Sequence, residues 1–197
     1  MKCESYYPFF RFLAYYYNGD VCKADFTAFQ SLTGALEKEK ASENETVSAA
    51  LTSLHNVAED EYESFKFSFN KLFVGPGKLK APPYESSYRN KQGLIMQDET
   101  MAVRRAYLAQ GLKLKKQNIE PDDHIALEME FLAEMIRRNE EEAFSRFLLE
   151  HAAVWAAPHC KCIKDNTTDR ICLGMADLLA AVISCAKNEL LGDDQRC

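Results

Sequence analysis

Three carboxylates and one imidazole fall within five positions, Glu120-Pro121-Asp122-Asp123-His124, directly ahead of the amphipathic run from Ile125 to Arg138. Side chains of these types support two chemistries. Clustered carboxylates hold a cation, guanidinium best because its parallel N–H donors match two oxygens, and a carboxylate beside an imidazole can share a proton with it. A plainer role competes. Pro121 cannot continue a helix and biases Glu120 toward extended backbone, so the chain turns here and a helix starts, with Asp122 or Asp123 as its N-cap, worth about 1 kcal/mol. Capping leaves two groups unexplained, His124 and, one turn later, Glu128. The stripe His124, Glu128, Phe131, Met135 runs beside the apolar stripe Ile125, Met129, Leu132, Ile136, which puts the imidazole and the Glu128 carboxylate at the edge of the buried face. Read alone, the segment is a capped helix start with a structural histidine before it is a ligand site.

Two other stretches carry reactive groups. Between Val74 and Gln97 lie Gly75, Pro76, Gly77, Pro82, Pro83 and Gly93, so this stretch cannot be regular helix. It holds Tyr84, Glu85, Ser86, Ser87, Tyr88 and Arg89, and both a ligand-contacting loop and a long connection pinned by aromatic anchors fit that mixture. The cluster His159-Cys160-Lys161-Cys162, with Cys172, offers metal-ligand types, but a C-x-C pair lacks the C-x2-C repeat of structural zinc sites. His124 with Asp123 or Glu120 could form an acid/base pair, with Ser86 as its nucleophile. The chain has no P-loop, G-x-S-x-G, H-E-x-x-H or Rossmann glycine pattern. No catalytic residue, metal ligand or cofactor is expected.

The elements that must position these groups are helical, because apolar residues recur at helical rather than alternating spacing nearly throughout. Tyr6, Phe9, Phe10, Leu13 and Tyr17 mark a first helix with Pro8 in its opening turn and its end at Asn18-Gly19. A second runs from Asp25. The polar stretch 38–46 reads as a surface loop, and helices follow around Val47–Ala58 and Tyr62–Phe73. Helical pattern resumes at Asp98, a plausible cap, and stops near Gly111. After the helix headed by the acidic segment, Phe144, Leu148, His151 and Trp155 share a face before Pro158 ends that helix; a histidine on such a face is usually a core residue. The last helix, capped by Thr167 or Thr168, runs to Gly192. The expectation is one all-α domain over residues 1–197, a bundle of about eight helices with a long Gly/Pro-rich loop at 74–97.

Composition narrows the partners. At 197 residues and 47% hydrophobic, the chain can bury the core of one domain, and a formal charge of −6 argues against nucleic acid or an anionic membrane while suiting a basic partner. No apolar run approaches the roughly 20 residues of a membrane span, and Arg11 interrupts the aromatic N-terminus, so neither stable membrane insertion nor a signal peptide is expected. Seven cysteines, an odd number without dense spacing, point to reduced thiols and a cytoplasmic location. The loop 74–97 and the stretch 38–46 leave a monomer and a helix-exchanged dimer both open.

Two stretches together resemble a known family. Leu72-Phe73-Val74-Gly75-Pro76-Gly77 followed by Ala81-Pro82-Pro83-Tyr84-Glu85-Ser86-Ser87-Tyr88 is similar to the loop signature of the TorD/DmsD/NarJ family of cytoplasmic molybdoenzyme-assembly chaperones, and Glu120 to Leu132 resembles its acidic E-P-x-D-H segment opening a helix. The resemblance, closest to the TorD/DmsD branch, implies an all-helical, non-enzymatic protein. Such a protein binds the precursor of a molybdopterin-containing oxidoreductase of the DMSO/TMAO reductase type, at its twin-arginine signal peptide, until the cofactor is inserted and the Tat pathway exports it. It carries over to Tyr84, Glu85, Ser86 and Tyr88 in the loop and to Glu120, Asp123 and His124 at the helix start, with Asp122 in the variable place. The residues then imply that Glu120, Asp122 and Asp123 meet the guanidinium groups, that Tyr84 and Tyr88 line an apolar groove, and that His124 bonds across to the loop. Two other readings stay open: a chaperone for a leaderless, cytoplasm-facing molybdoenzyme subunit, and a small helical hydrolase or nucleotide-binding protein using His124 and the acidic cluster.

Overall fold

A computed structural model of the chain describes residues 3–90, 92–114 and 120–192. Helices α1 (Tyr7–Tyr17), α2 (Phe26–Leu36), α3 (Glu45–His55) and α4 (Glu59–Phe69) form the first half. The single turn α5 (Ser86–Arg89), then α6 (Asp98–Ala109), α7 (Ile125–Arg138), α8 (Glu141–Phe147), α9 (Ala153–Asn166) and α10 (Arg170–Leu191) complete the order. The all-α expectation holds. Ten α segments stand among the described residues, against about eight expected, because α5 lies within the Gly/Pro-rich loop and α8 and α9 are one continuous helix widened by a π-turn at Leu148–Ala152. A second π-turn, Asn70–Val74, continues α4.

α1 lies along α7, and α10 lies along α3 and α9. The sequence of α1 explains its place: Phe9, Phe10, Phe12, Leu13, Tyr16 and Tyr17 are all buried, and each fully buried aromatic contributes about 1.5–3 kcal/mol. At the α10–α3 contact, Gly174 permits close approach, since a Cβ there would stand 2.8 Å from both Leu54 Cδ2 and Ser53 Oγ. α10 is long and apolar enough to cross a membrane by length and composition alone, but it is a core helix whose Ile171, Met175, Leu178, Leu179 and Val182 are buried in the bundle.

Several helix boundaries differ from the sequence expectation. Asp25 caps α2 as expected, accepting from Ala28 N at 2.7 Å. α6 instead begins at Asp98 itself, with Gln97 at the cap position. α10 is capped by Asp169, which accepts from Cys172 N at 2.9 Å, while Thr167 Oγ1 accepts from Asp169 N and so sets up that cap. Pro158 does not end its helix. It lies on the exposed side of α9 with Val154, where water can take the carbonyl that proline frees, while Trp155, Ala156, His159, Cys160 and Ile163 hold the inner side. The stretch 38–46 is not all loop, since it contains a 3-10 turn, Lys40–Glu43, that buries Ala41.

Candidate functional site

The Gly/Pro-rich loop and the head of α7 are joined through their backbones. Tyr84 and His124 form an isolated antiparallel bridge. On either side of it, Glu85 N donates to Asp123 O at 3.0 Å and Ile125 N donates to Pro83 O at 2.9 Å, so the loop satisfies a donor that the helix start leaves open. The cap of α7 is His124, not Asp122 or Asp123: its Nδ1 accepts from Ala126 N at 3.2 Å. Both aspartates are spent on tertiary partners, which is why the imidazole takes the cap. Its link to the loop is through the backbone bridge and a ring contact, edge to face against Tyr84 with centroids 5.3 Å apart. Burial pulls the His124 pKa down, against the upward pull of Glu120 and Asp123. Tyr84 Oη donates to Glu120 Oε1 at 2.7 Å, and burial followed by that carboxylate raises the phenol's pKa.

The two aspartates fix three elements. Asp123 is fully buried, and its Oδ2 accepts from Ser86 N at 2.8 Å while Oδ1 accepts from Thr100 Oγ1 at 2.7 Å, tying α5 and α6 to α7. Asp122 is nearly as buried; its Oδ2 accepts from Arg104 Nε at 2.9 Å and its carbonyl from Tyr107 Oη at 3.0 Å. Each is an anionic acceptor with charge-assisted or buried donors, the strong kind of hydrogen bond.

Behind the loop a second layer of polar groups reaches into the core. The fully buried Glu85 pairs with Arg89 one turn on and with His151 Nδ1 at 2.8 Å. Glu128 lies inside the bundle rather than at the edge of the buried face: its Oε2 accepts from Trp155 Nε1 at 3.0 Å, and burial together with the neighbouring Glu85 charge raises its pKa well above the ordinary carboxylate value, which favours the protonated acid. His159 lies between two phenols, Nδ1 at 2.9 Å from Tyr88 Oη and Nε2 at 3.1 Å from Tyr17 Oη, and burial pushes its pKa down to about 3. Tyr88 also stacks on Trp155 with centroids 5.5 Å apart.

Seven of the eight sequence-selected residues, Tyr84, Glu85, Ser86, Glu120, Asp122, Asp123 and His124, therefore meet at one junction, and Tyr88 anchors the same loop farther along, on Trp155 and His159. Glu85, Ser86, Asp122 and Asp123 are buried; Tyr84, Tyr88, Glu120 and His124 are partly exposed. No acid/base pair forms through His124 Nδ1, because that atom caps the helix. Cys160 and Cys162 donate to Ala176 O at 3.2 Å and Lys80 O at 3.0 Å, the described cysteines are free thiols, and Cys197 lies outside the described residues. Among the described residues no three His, Cys, Asp or Glu side chains are placed to hold a metal.

Sequence reasoning missed Arg104, Thr100, Trp155 and His159 as parts of this junction. The i,i+4 spacing of Glu85 with Arg89 was readable. So was the carboxylate of Glu128 amid an apolar stripe, which needs a buried donor.

The family described as nitrate reductase delta subunit has a model that matches residues 37–161, more than half of the chain. A Haemophilus influenzae relative described as probable Tat proofreading chaperone DmsD is 33% identical over 88 residues, 45% of this chain and 43% of that protein. The chaperone protein TorD of Vibrio parahaemolyticus is 28% identical over 168 residues, 77% of this chain and 78% of that protein. The chain spans less than half the length of the DmsD relatives it matches. The fold is shared with a crystal structure of an Archaeoglobus fulgidus protein assigned to redox enzyme maturation, at a TM-score of 0.52 and 20% identity, over 89% of this chain and 91% of that one. The chain belongs to the nitrate reductase delta subunit family.

Proposed function

We propose that this family member is a cytoplasmic, non-enzymatic chaperone that binds the precursor of a molybdopterin-containing oxidoreductase at its twin-arginine signal peptide and holds it until cofactor insertion and Tat export. The observation that carries the reading is the family match over residues 37–161, which contains both the Tyr84–Tyr88 loop and the Glu120–His124 segment, alongside relatives named as Tat proofreading chaperones. The junction supports it chemically. A signal of this kind presents two guanidinium groups ahead of an apolar helical stretch, and the junction of loop and α7 combines carboxylates with aromatic rings. The partly exposed Tyr84, Glu120 and His124 form its outer edge, and the buried Glu85, Ser86, Asp122 and Asp123 set the geometry of that edge.

The test is titration of a synthetic twin-arginine signal peptide into the full chain and into Asp123→Ala and His124→Ala variants. Trp155, the only tryptophan in the sequence, stacks on Tyr88 of the loop and supplies a fluorescence readout. Saturable binding whose affinity changes in both variants supports the reading. Unchanged affinity in both removes this junction from the account, and recovery from native cytoplasm with a leaderless molybdoenzyme subunit would redirect it to that client.

A further inference from the structure

The face of α7's head that carries Asp122 and Asp123 is covered by α6, and α6 has the chemistry of a ligand. It is seated by one helical stripe: Thr100, Val103, Arg104 and Tyr107 point inward, while Met101, Arg105 and Leu108 are exposed. Thr100 donates to Asp123 and Arg104 Nε donates to Asp122 Oδ2 at 2.9 Å. One turn beyond Arg104, the Tyr107 ring lies 4.9 Å from Phe131 and 5.9 Å from Phe147, centroid to centroid. In order along the helix these are a guanidinium on a buried carboxylate and then an aromatic ring on an apolar floor. The sequence there reads Arg104-Arg105-Ala106-Tyr107-Leu108-Ala109, two adjacent arginines followed by apolar residues. Where α6 ends, a cleft of about 260 Å³ lined by Leu112, Leu114, Leu127 and Glu130 continues along α7.

We infer that α6 is a surrogate ligand seated in the peptide groove of this chain, with Asp122 as the guanidinium seat and Phe131 and Phe147 as the apolar floor, and that a client segment with adjacent arginines binds by displacing it. The inference rests on the peptide-chaperone reading above and adds to it where the peptide sits and what occupies the seat beforehand.

Asp122 is only 2% exposed, and a carboxylate so buried is strongly unfavourable without a cationic partner. α6 itself supplies both that cover and, through Arg104, the cation it requires, so whatever takes the place of α6 over Asp122 has to bring a cation of its own. Replacing one guanidinium by another preserves the buried pair and its planar fork, whereas a lysine ammonium brings a compact, strongly hydrated charge that does not match it. The exchange also sets specificity. The apparent affinity of any peptide is reduced by the fraction of chains in which α6 has not left, so a ligand that satisfies only the charge or only the apolar floor does not displace a segment that satisfies both.

The experiment uses the full chain and a synthetic peptide of two adjacent arginines followed by an apolar segment, with a control in which both arginines are lysines. Amide hydrogen exchange over residues 98–109 and the affinities of wild type and Arg104→Gln are measured. Exchange in α6 is expected to rise roughly tenfold when the arginine peptide is bound and to stay unchanged with the lysine control, and Arg104→Gln, whose α6 has lost its ion pair, is expected to bind the arginine peptide roughly tenfold more tightly. Saturable binding of the arginine peptide with α6 exchange unchanged or slowed overturns the surrogate-ligand inference and leaves the chaperone reading intact. Absence of binding by both proteins overturns the chaperone reading and this inference with it. If Arg104→Gln does not fold, the exchange measurement on wild type decides alone.

Discussion

Acidification should loosen the anchor of the Tyr84–Tyr88 loop through a single side chain, His159. Both of its ring nitrogens are used by phenols, Tyr88 from the loop and Tyr17 from α1, and burial holds its pKa at about 3 against an ordinary 6.5. Well above pH 6.5 neither the folded nor the unfolded chain carries a proton there, and the contribution is constant. As pH falls below 6.5 the unfolded chain takes up a proton that the folded chain does not, so stability is lost, and the loss continues until pH reaches about 3. Well below 6.5 each pH step of one is about 1.4 kcal/mol, and because the unfolded imidazole is only half protonated at 6.5, His159 alone should remove about 1 kcal/mol between pH 6.5 and 5.5. Urea denaturation of wild type and His159→Phe at pH 7.5, 6.5 and 5.5, followed by circular dichroism, isolates that slope as the difference between the two proteins. His124, whose pKa is also depressed by burial, contributes to both and cancels. Direct observation of the His159 imidazole by NMR completes the test. A resonance titrating near 6.5, or wild-type and variant stabilities that run parallel in pH, would refute the argument.

Asp123→Ala leaves Ser86 N–H and Thr100 Oγ1 without their acceptor and should lower stability by about 2–4 kcal/mol, read from urea midpoints; a change under 1 kcal/mol would mean that water replaces the carboxylate. His124→Ala removes the cap on Ala126 N–H and should cost about 0.5–2 kcal/mol, a smaller fall in thermal midpoint than Asp123→Ala gives. Gly174→Ala puts a methyl group 2.8 Å from Leu54 Cδ2 and should destabilise by about 1–3 kcal/mol through the α3–α10 contact; neutral stability would show that the two helices can part without loss.

Helical periodicity was enough to expect an all-α bundle because α1, α7 and α10 each carry an apolar stripe wide enough to show in the sequence. Local rules failed where a side chain serves a distant partner. Asp122 and Asp123 have the composition of an N-cap, but their acceptors go to Arg104, Ser86 and Thr100, at separations that no local pattern records, and His124 is left to cap the helix. Pro158 has the composition of a terminator, but its neighbours Trp155 and His159 are held by Glu128, Tyr88 and Tyr17, and that packing carries the helix past it. The candidate residues were legible as a set; which of them face water was not, because burial of Glu85, Ser86, Asp122 and Asp123 depends on where α5 and α6 come to rest.

The π-turn at Leu148–Ala152 gives this helix one residue more than a regular α-helix of the same arc would hold. In a regular α-helix, residues four apart drift around the axis by about 40° at each step, whereas a π-turn advances fewer degrees per residue and offsets that drift. Phe147, His151, Trp155 and His159 stand four apart, and all four are buried, with Phe147 against Tyr107 and the other three against Glu85 and Tyr88 of the loop. Removing any one residue between Phe147 and Trp155 would tighten the turn to α geometry, and the step of about 100° lost with that residue would be offset by the fuller turning of those that remain, so Trp155 and His159 would keep the face they share with Phe147. A single-codon deletion here would therefore leave the two ends of the file on one face and remove only the contacts of the residue lost, whereas a deletion in the regular turns of α9 would turn them apart, so among homologues a one-residue alignment gap should fall inside this stretch.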